Sequence, residues 1–292
     1  MHHQPVMLAE VLSLIETYSR HARILDGTLG LGGYSEAILS RFPASTVLGL
    51  DRDEQALNFS RERLKDYSSR FRALHANFGD IAGLDECRDF DAYVFDLGVS
   101  NMQLTLPERG FSFQNDGPLD MRMDSSDGKT TAEEILASST AEDLAKIFWD
   151  YGQERYAKLI ASAIKKSPAP ITTTGQLVKL IRDTLPQPVQ RKMGTHPARR
   201  VFQALRICVN DEAGELHRLL AGLSEISHEA LIIFVSYHSL EDRMVKYSFH
   251  EWQTNGKGKI LTRHPLTPSE HETEENYKAR SAKLRAFSLN TY

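Results

Sequence analysis

Three segments carry residue types whose spacing can do chemistry. The first is Asp26-Gly-Thr-Leu-Gly-Leu-Gly-Gly-Tyr34. Glycine lets a backbone turn sharply and approach a ligand closely, so a glycine run between a strand and a helix can hold a nucleotide or nucleoside. Gly30-Leu-Gly32-Gly-Tyr-Ser35 lacks the third glycine of the dinucleotide fingerprint, and no Gly-Lys-Ser/Thr follows for a triphosphate loop. The second is Asp51, 18 residues past Gly33. A carboxylate there can accept hydrogen bonds from both ribose hydroxyls of an adenosine ligand. A glycine turn plus an acid, without a phosphate signature, fits S-adenosylmethionine better than NAD. The third is Asp96-Leu-Gly-Val-Ser-Asn-Met-Gln103. An exocyclic base amine has its lone pair delocalised into the ring, so a methyl acceptor of that kind needs a neighbouring group to orient it and take its proton. Asp96 and Asn101 are candidates, and Asp96 has the alternative of capping the loop or binding cofactor. His238 is a further candidate acceptor, or a structural histidine.

These residues need elements to position them. Apolar runs at 23–26, 46–51, 71–75 and 92–96 alternate with helical stretches, which predicts a parallel sheet covered on both faces. Asp51 and Asp96 then fall at carboxyl ends of strands, where open parallel sheets bind ligands. A first helix is expected from Pro5, with Met7, Leu8, Val11, Leu12 and Ile15 at helical spacing. Asp53 can cap the helix after the second strand. From 104 to 196 no strand is expected. Thr131, Thr140 and Thr173 each open a capping box there. One long helix is predicted from about 197 to 223, then a strand at 231–235, a capping box at 239–242, a mobile hydrophilic stretch at 255–279 and a strand at 284–289. The fold class is therefore α/β, with a nucleoside-binding domain (1–103 and 197–292) interrupted by an all-helical insertion (104–196).

The chain has 292 residues, 41% hydrophobic and 25% charged, with a formal net charge of −4. It has no global basic field, so nucleic-acid contact must rest on a local patch. Arg191, Lys192, Arg199, Arg200 and Arg206 form one, with no acidic residue between Arg191 and Arg206. Arg199, Gln203, Arg206 and Asn210 share a helix face that can meet RNA phosphates or simply solvent. Phe111 and Phe113 can stack a splayed base or pack a core, and Arg122, with Asp120 and Asp124, can bind the base or hold its loop. Cys87 and Cys208 lie in no cluster, which excludes a disulfide framework and a zinc site and points to the cytoplasm. No signal peptide or membrane span is expected, and the chemistry requires no metal.

The chain resembles the RsmH (MraW) family of small-subunit rRNA cytosine-N4 methyltransferases over nearly its whole length. Besides the segments above, the motifs are His3-Gln-Pro-Val6, Asp51-Arg-Asp53, Pro107-Glu-Arg-Gly-Phe-Ser-Phe113 and Asp116-Gly-Pro-Leu-Asp-Met-Arg-Met-Asp124. They continue with Tyr151-Gly-Gln-Glu-Arg155, His196-Pro-Ala-Arg199, Phe202-Gln-Ala-Leu-Arg206, His238-Ser-Leu-Glu-Asp-Arg243 and Ser281-Ala-Lys-Leu-Arg285. The resemblance implies a Rossmann-like class I methyltransferase sheet with a helical insertion that helps recognise RNA. It implies methylation of N4 of a cytidine in the decoding centre of 16S rRNA in the small ribosomal subunit. It puts S-adenosylmethionine on Gly32, Gly33, Tyr34, Asp51, Phe78, Asp96 and Gln103. Two positions depart from the family, which usually has His at Tyr34 and often Ser at Asn101; neither change removes a required charge. The competing expectations are an NAD-linked oxidoreductase and a non-catalytic ribosome-assembly factor. Monomer and homodimer both remain open.

Overall fold

The structure is a computed structural model and describes residues 4–126 and 128–290. The chain divides into two compact units, Met1–Gly98 with Ala213–Tyr292, and Val99–Glu212.

The first unit alternates helix and strand: α1 (Leu8–Tyr18), β1 (Arg23–Asp26), α2 (Gly33–Arg41), β2 (Thr46–Asp51), α3 (Glu54–Arg63), β3 (Phe71–His75) and β4 (Ala92–Asp96). The second unit supplies α4 (Asn101–Thr105), α5 (Ala132–Ser138), α6 (Ala141–Asp150), α7 (Ala157–Lys165), α8 (Thr174–Thr184), α9 (Gln187–Lys192) and α10 (Arg199–Asn210). After it come α11 (Glu212–Ser224), β5 (Ala230–Ser236), α12 (Ser239–Thr254), β6 (Gly258–Ile260), α13 (Glu270–Glu275) and β7 (Lys283–Leu289).

The sheet has the order β3-β2-β1-β4-β5-β7-β6. Its first five strands are parallel, and β7 runs antiparallel to β5 and β6. This is the expected Rossmann-like sheet. β5 shows why its strands read as unbroken apolar runs. Leu231, Ile233 and Val235 point to one core, with Val11 and Ile15 of α1 and Ile38 of α2. Ile232 and Phe234 point to the other, with Leu219 of α11 and Phe249 of α12. A strand buried on both faces has no polar side to alternate with.

The second unit contains no named strand among the described residues, and its helices close on one core that includes Leu144, Phe148, Ile160, Leu177 and Leu205. All three expected capping boxes form, on Thr131, Thr140 and Thr173. Asp53 caps α3 through the Gln55 N–H.

Five expectations need correction. α1 starts at Leu8, because Met7 sits in the left-handed region at φ 55° and cannot continue a helix back to Pro5. The single long helix after 197 is two, broken where Asp211 adopts φ 49°. α10 packs on α5 and α6, so it belongs to the helical unit. The 255–279 stretch is not structureless, since it holds β6 and α13, with β6 paired to β7. The capping box of α12 is one residue earlier than read: His238 caps it with Glu241. No helix among the described residues is long and apolar enough to cross a membrane.

Candidate active site

Strand order reverses between β1 and β4, and the carboxyl ends flanking that reversal are where such sheets bind ligands. Three strands there end in aspartate: β1 in Asp26, β2 in Asp51 and β4 in Asp96. Asp26 is wholly buried and accepts the Ser35 hydroxyl at 2.7 Å. Burial pushes its carboxyl up to about 6, with the charge of Asp51 adding to the shift. Asp51 accepts the Gly30 N–H on Oδ2 at 2.7 Å and the Asp53 N–H on Oδ1 at 2.9 Å. Burial raises its pKa too, against those two hydrogen bonds. Each carboxylate oxygen carries a second lone pair, so Asp51 can close the glycine turn and still accept from a ligand.

The turn explains its glycines. Gly32 starts α2 from φ 76°, a conformation that side chains disfavour. A β-carbon on Gly33 would fall 2.7 Å from Pro5 Cγ, so the N-terminal segment lies directly against the turn. Tyr34 is buried in the core and its hydroxyl donates to the Val6 carbonyl. The Met7 N–H in turn donates to Glu272 Oε1 at 2.6 Å. The Tyr34 ring therefore secures the N-terminal segment against the turn.

Asp96 is held twice. Its N–H donates to Thr28 Oγ1, and its Oδ1 accepts the Tyr237 hydroxyl, both at 2.6 Å. Burial and the Asp96 charge push the Tyr237 pKa well above its ordinary value, so that hydroxyl keeps its proton. His238 caps α12: Nδ1 faces the Glu241 N–H and Nε2 lies 2.9 Å from Glu241 Oε1. That is a structural role for the ring. Phe78 follows β3 in a short 3-10 segment, opened by Asn77, and meets Phe95 edge-on at 6.4 Å. Sequence reasoning missed Asp26, Thr28 and Tyr237 as site residues. The signal for Asp26 was present: it ends its strand as Asp51 and Asp96 end theirs.

Three carboxylates at one end of the sheet decide between ligands. They suit sulfonium and ammonium charges and ribose hydroxyls, whereas a pyrophosphate would meet like charge. The residues present fit S-adenosylmethionine.

In the helical unit, Gln103 is buried and completes a capping box with Ser100, its Oε1 accepting the Ser100 N–H at 3.1 Å. The Asn101 side chain and His3 lie outside the described residues. Phe111 is buried in the core, so it packs. Phe113 is half-buried and stacks on His196, with centroids 4.7 Å apart. Arg122 grips both oxygens of Asp120, at 2.9 and 2.7 Å. Burial would raise the Asp120 pKa, but those hydrogen bonds outweigh it and lower it.

The polar stripe of α10 divides. Arg199 and Arg200 are exposed, and Arg200 donates to the Gln153 carbonyl at 3.0 Å. Arg206 instead engages both oxygens of Glu212, at 2.8 and 2.9 Å, and is mostly buried. Asn210 is buried and holds the 121–123 segment through the Met123 N–H and the Met121 carbonyl. Only the first half of the stripe faces solvent.

A model of the MraW methylase family matches residues 1–290. The ribosomal RNA small subunit methyltransferase H of Halothermothrix orenii is 41% identical, over 98% of this chain and 97% of its own. The protein of that name from a Nocardioides species is 45% identical over 85% of this chain and 79% of its own. The one from Pseudothermotoga lettingae is 43% identical over 97% of both.

Proposed function

The chain belongs to the MraW methylase family, whose methyl donor is S-adenosylmethionine, and on that premise we propose that it methylates N4 of a cytidine in the decoding centre of 16S rRNA. The names of its relatives support rRNA as the substrate class. The observation that carries the chemistry is Asp96 at the end of β4, its backbone N–H held by Thr28 and its carboxylate by Tyr237.

The cofactor supplies a methyl group made electrophilic by a positively charged sulfur. Gly32, Gly33 and Tyr34 would hold it through their backbone, Asp51 would accept from its ribose, and Phe78 would lie against it. Gln103 shapes the segment after Asp96 through the α4 cap. Asp96 accepts a hydrogen bond from the cytosine N4 amine, turns its lone pair out of the ring, and takes the N4 proton. Tyr237 stays protonated and donates to Asp96, which keeps the carboxylate in one orientation. His238 acts through the α12 cap. Positioning of amine and methyl carbon supplies much of the acceleration. The sheet unit holds the cofactor and the helical insertion recognises RNA, with Arg199 and Arg200 on phosphates. Arg122, locked to Asp120, shapes the loop that meets the base. The substrate is the small subunit, in the cytoplasm.

Nucleoside mass spectrometry of small-subunit rRNA, with and without the gene, tests this reading. N4-methylcytidine should vanish with the gene and return when it is restored. An unchanged level would overturn the assignment.

A further inference from the structure

The helical unit contains a cavity of about 360 Å³, walled by residues of that unit alone. Its size lies at the small end of ligand sites, enough for one nucleotide. Phe113 and Val178 form its apolar wall, and Asp116, Arg182 and His196 its polar one. The Phe113 and His196 rings stack with planes 17° apart, and Phe202 meets Phe113 edge-on at 5.8 Å. A flat pair of rings held from the side is a surface on which an unpaired base stacks.

The charges point the same way. Arg182 is exposed, and its Nη2 lies 2.9 Å from His196 Nε2. The guanidinium and the Ala198 N–H, 3.3 Å from Nδ1, can only donate, so the ring is not protonated on both nitrogens and the imidazole is neutral. Burial and the Arg182 charge lower the His196 pKa, which agrees with a neutral ring. Among the described residues Arg182 meets no carboxylate, so its positive charge is uncompensated. Asp116 accepts the Gly175 N–H at 2.7 Å, the leading cause of its lowered pKa, and remains an ionised acceptor suited to a base amino group. Exposed Arg191, Lys192, Arg199 and Arg200 follow in the same unit, with no acid among them.

We propose that this cavity is a nucleotide subsite for the RNA substrate. One unpaired nucleotide of the rRNA seats its base on the Phe113–His196 stack and its phosphate on Arg182. The reacting cytosine goes elsewhere, because no residue of the sheet unit, Asp96 included, lines the cavity. The proposal rests on the rRNA reading above.

The test uses the full chain and a fluorescein-labelled single-stranded 16S rRNA fragment spanning the target cytidine. Fluorescence anisotropy at several salt concentrations gives Kd and its salt slope. Arg182→Ala should weaken binding about tenfold and reduce the slope by about one, the loss of one phosphate contact. Arg182→Lys should restore the slope. Val178→Trp, which fills the cavity and leaves the charge, should weaken binding with the slope unchanged; if it fails to fold, the Arg182 pair decides alone. Wild-type Kd and slope in Arg182→Ala, with a wild type that methylates the fragment, overturn the subsite and leave the rRNA reading standing. A wild type that neither binds the fragment nor methylates purified small subunits overturns both.

Discussion

The Asp51 carboxylate receives one backbone N–H on each oxygen, from Gly30 and Asp53, and in the proposed function also the ribose hydroxyls. Asp51→Ala should therefore weaken S-adenosylmethionine binding about ten- to a hundredfold, equivalent to roughly 1.5–3 kcal/mol for charged hydrogen bonds. Titration calorimetry checks it, and wild-type affinity in the variant would sink the ribose assignment. Asp26 makes a prediction of a different kind. Its pKa is raised from 3.8 to about 6 by burial, so the folded chain holds a proton that the unfolded chain releases. The contribution of Asp26 to stability is then fully present below pH 4, is lost as pH rises towards 6 and is level above, a loss of about 3 kcal/mol. Asp26→Asn removes this dependence. The Tm of the variant minus that of the wild type should grow between pH 4 and pH 7.5, and a constant difference would contradict the account. Asp51 and Asp96 were legible in the sequence because they end apolar runs. Tyr237 was not, because its partner Asp96 lies 141 residues away.

Among the elements, those with a local signal were the readable ones. Side-chain caps on Asp53, Thr131, Thr140 and Thr173 depend on residues three or fewer positions apart, so their spacing is visible in a linear chain. The break between α10 and α11 was hidden. Apolar residues continue through Leu205, Val209, Leu216 and Leu219, and the glycine nearby, Gly214, falls inside α11 and not at the turn itself. Asp211 turns the chain in the left-handed region, which aspartate tolerates better than most residues. A second hidden contact lies where α6 ends. A β-carbon on Gly152 would fall 2.5 Å from the Arg200 carbonyl oxygen and 2.8 Å from that of Phe148, both backbone atoms that cannot rotate away. Gly152→Ala should separate α6 from α10 and cost about 1–3 kcal/mol, the range for overpacking. Thermal unfolding followed by circular dichroism measures it; an unchanged Tm would mean that the helices yield freely.

For the whole molecule, the question is how a chain of net charge −4 binds RNA. The proposed function places that task on exposed Arg199 and Arg200, with Arg206 already neutralised by Glu212. Arg199→Ala combined with Arg200→Ala should weaken RNA binding and flatten its salt dependence by up to about two units of slope. An unchanged slope would remove this face from the RNA contact. The sequence by itself determined the α/β alternation, the helical insertion, the glycine turn and two of its three carboxylates. Each of these is dictated by backbone geometry over a short span, where the strand period, the helix period and the freedom of glycine leave direct marks. Tertiary structure decided that Tyr237 holds Asp96, that Tyr34 secures the N-terminal segment, that Arg206 is engaged with Glu212, and that Asn210 holds a loop 87 residues before it. Such partners are chosen when distant segments pack together, and no periodicity in either segment announces the other.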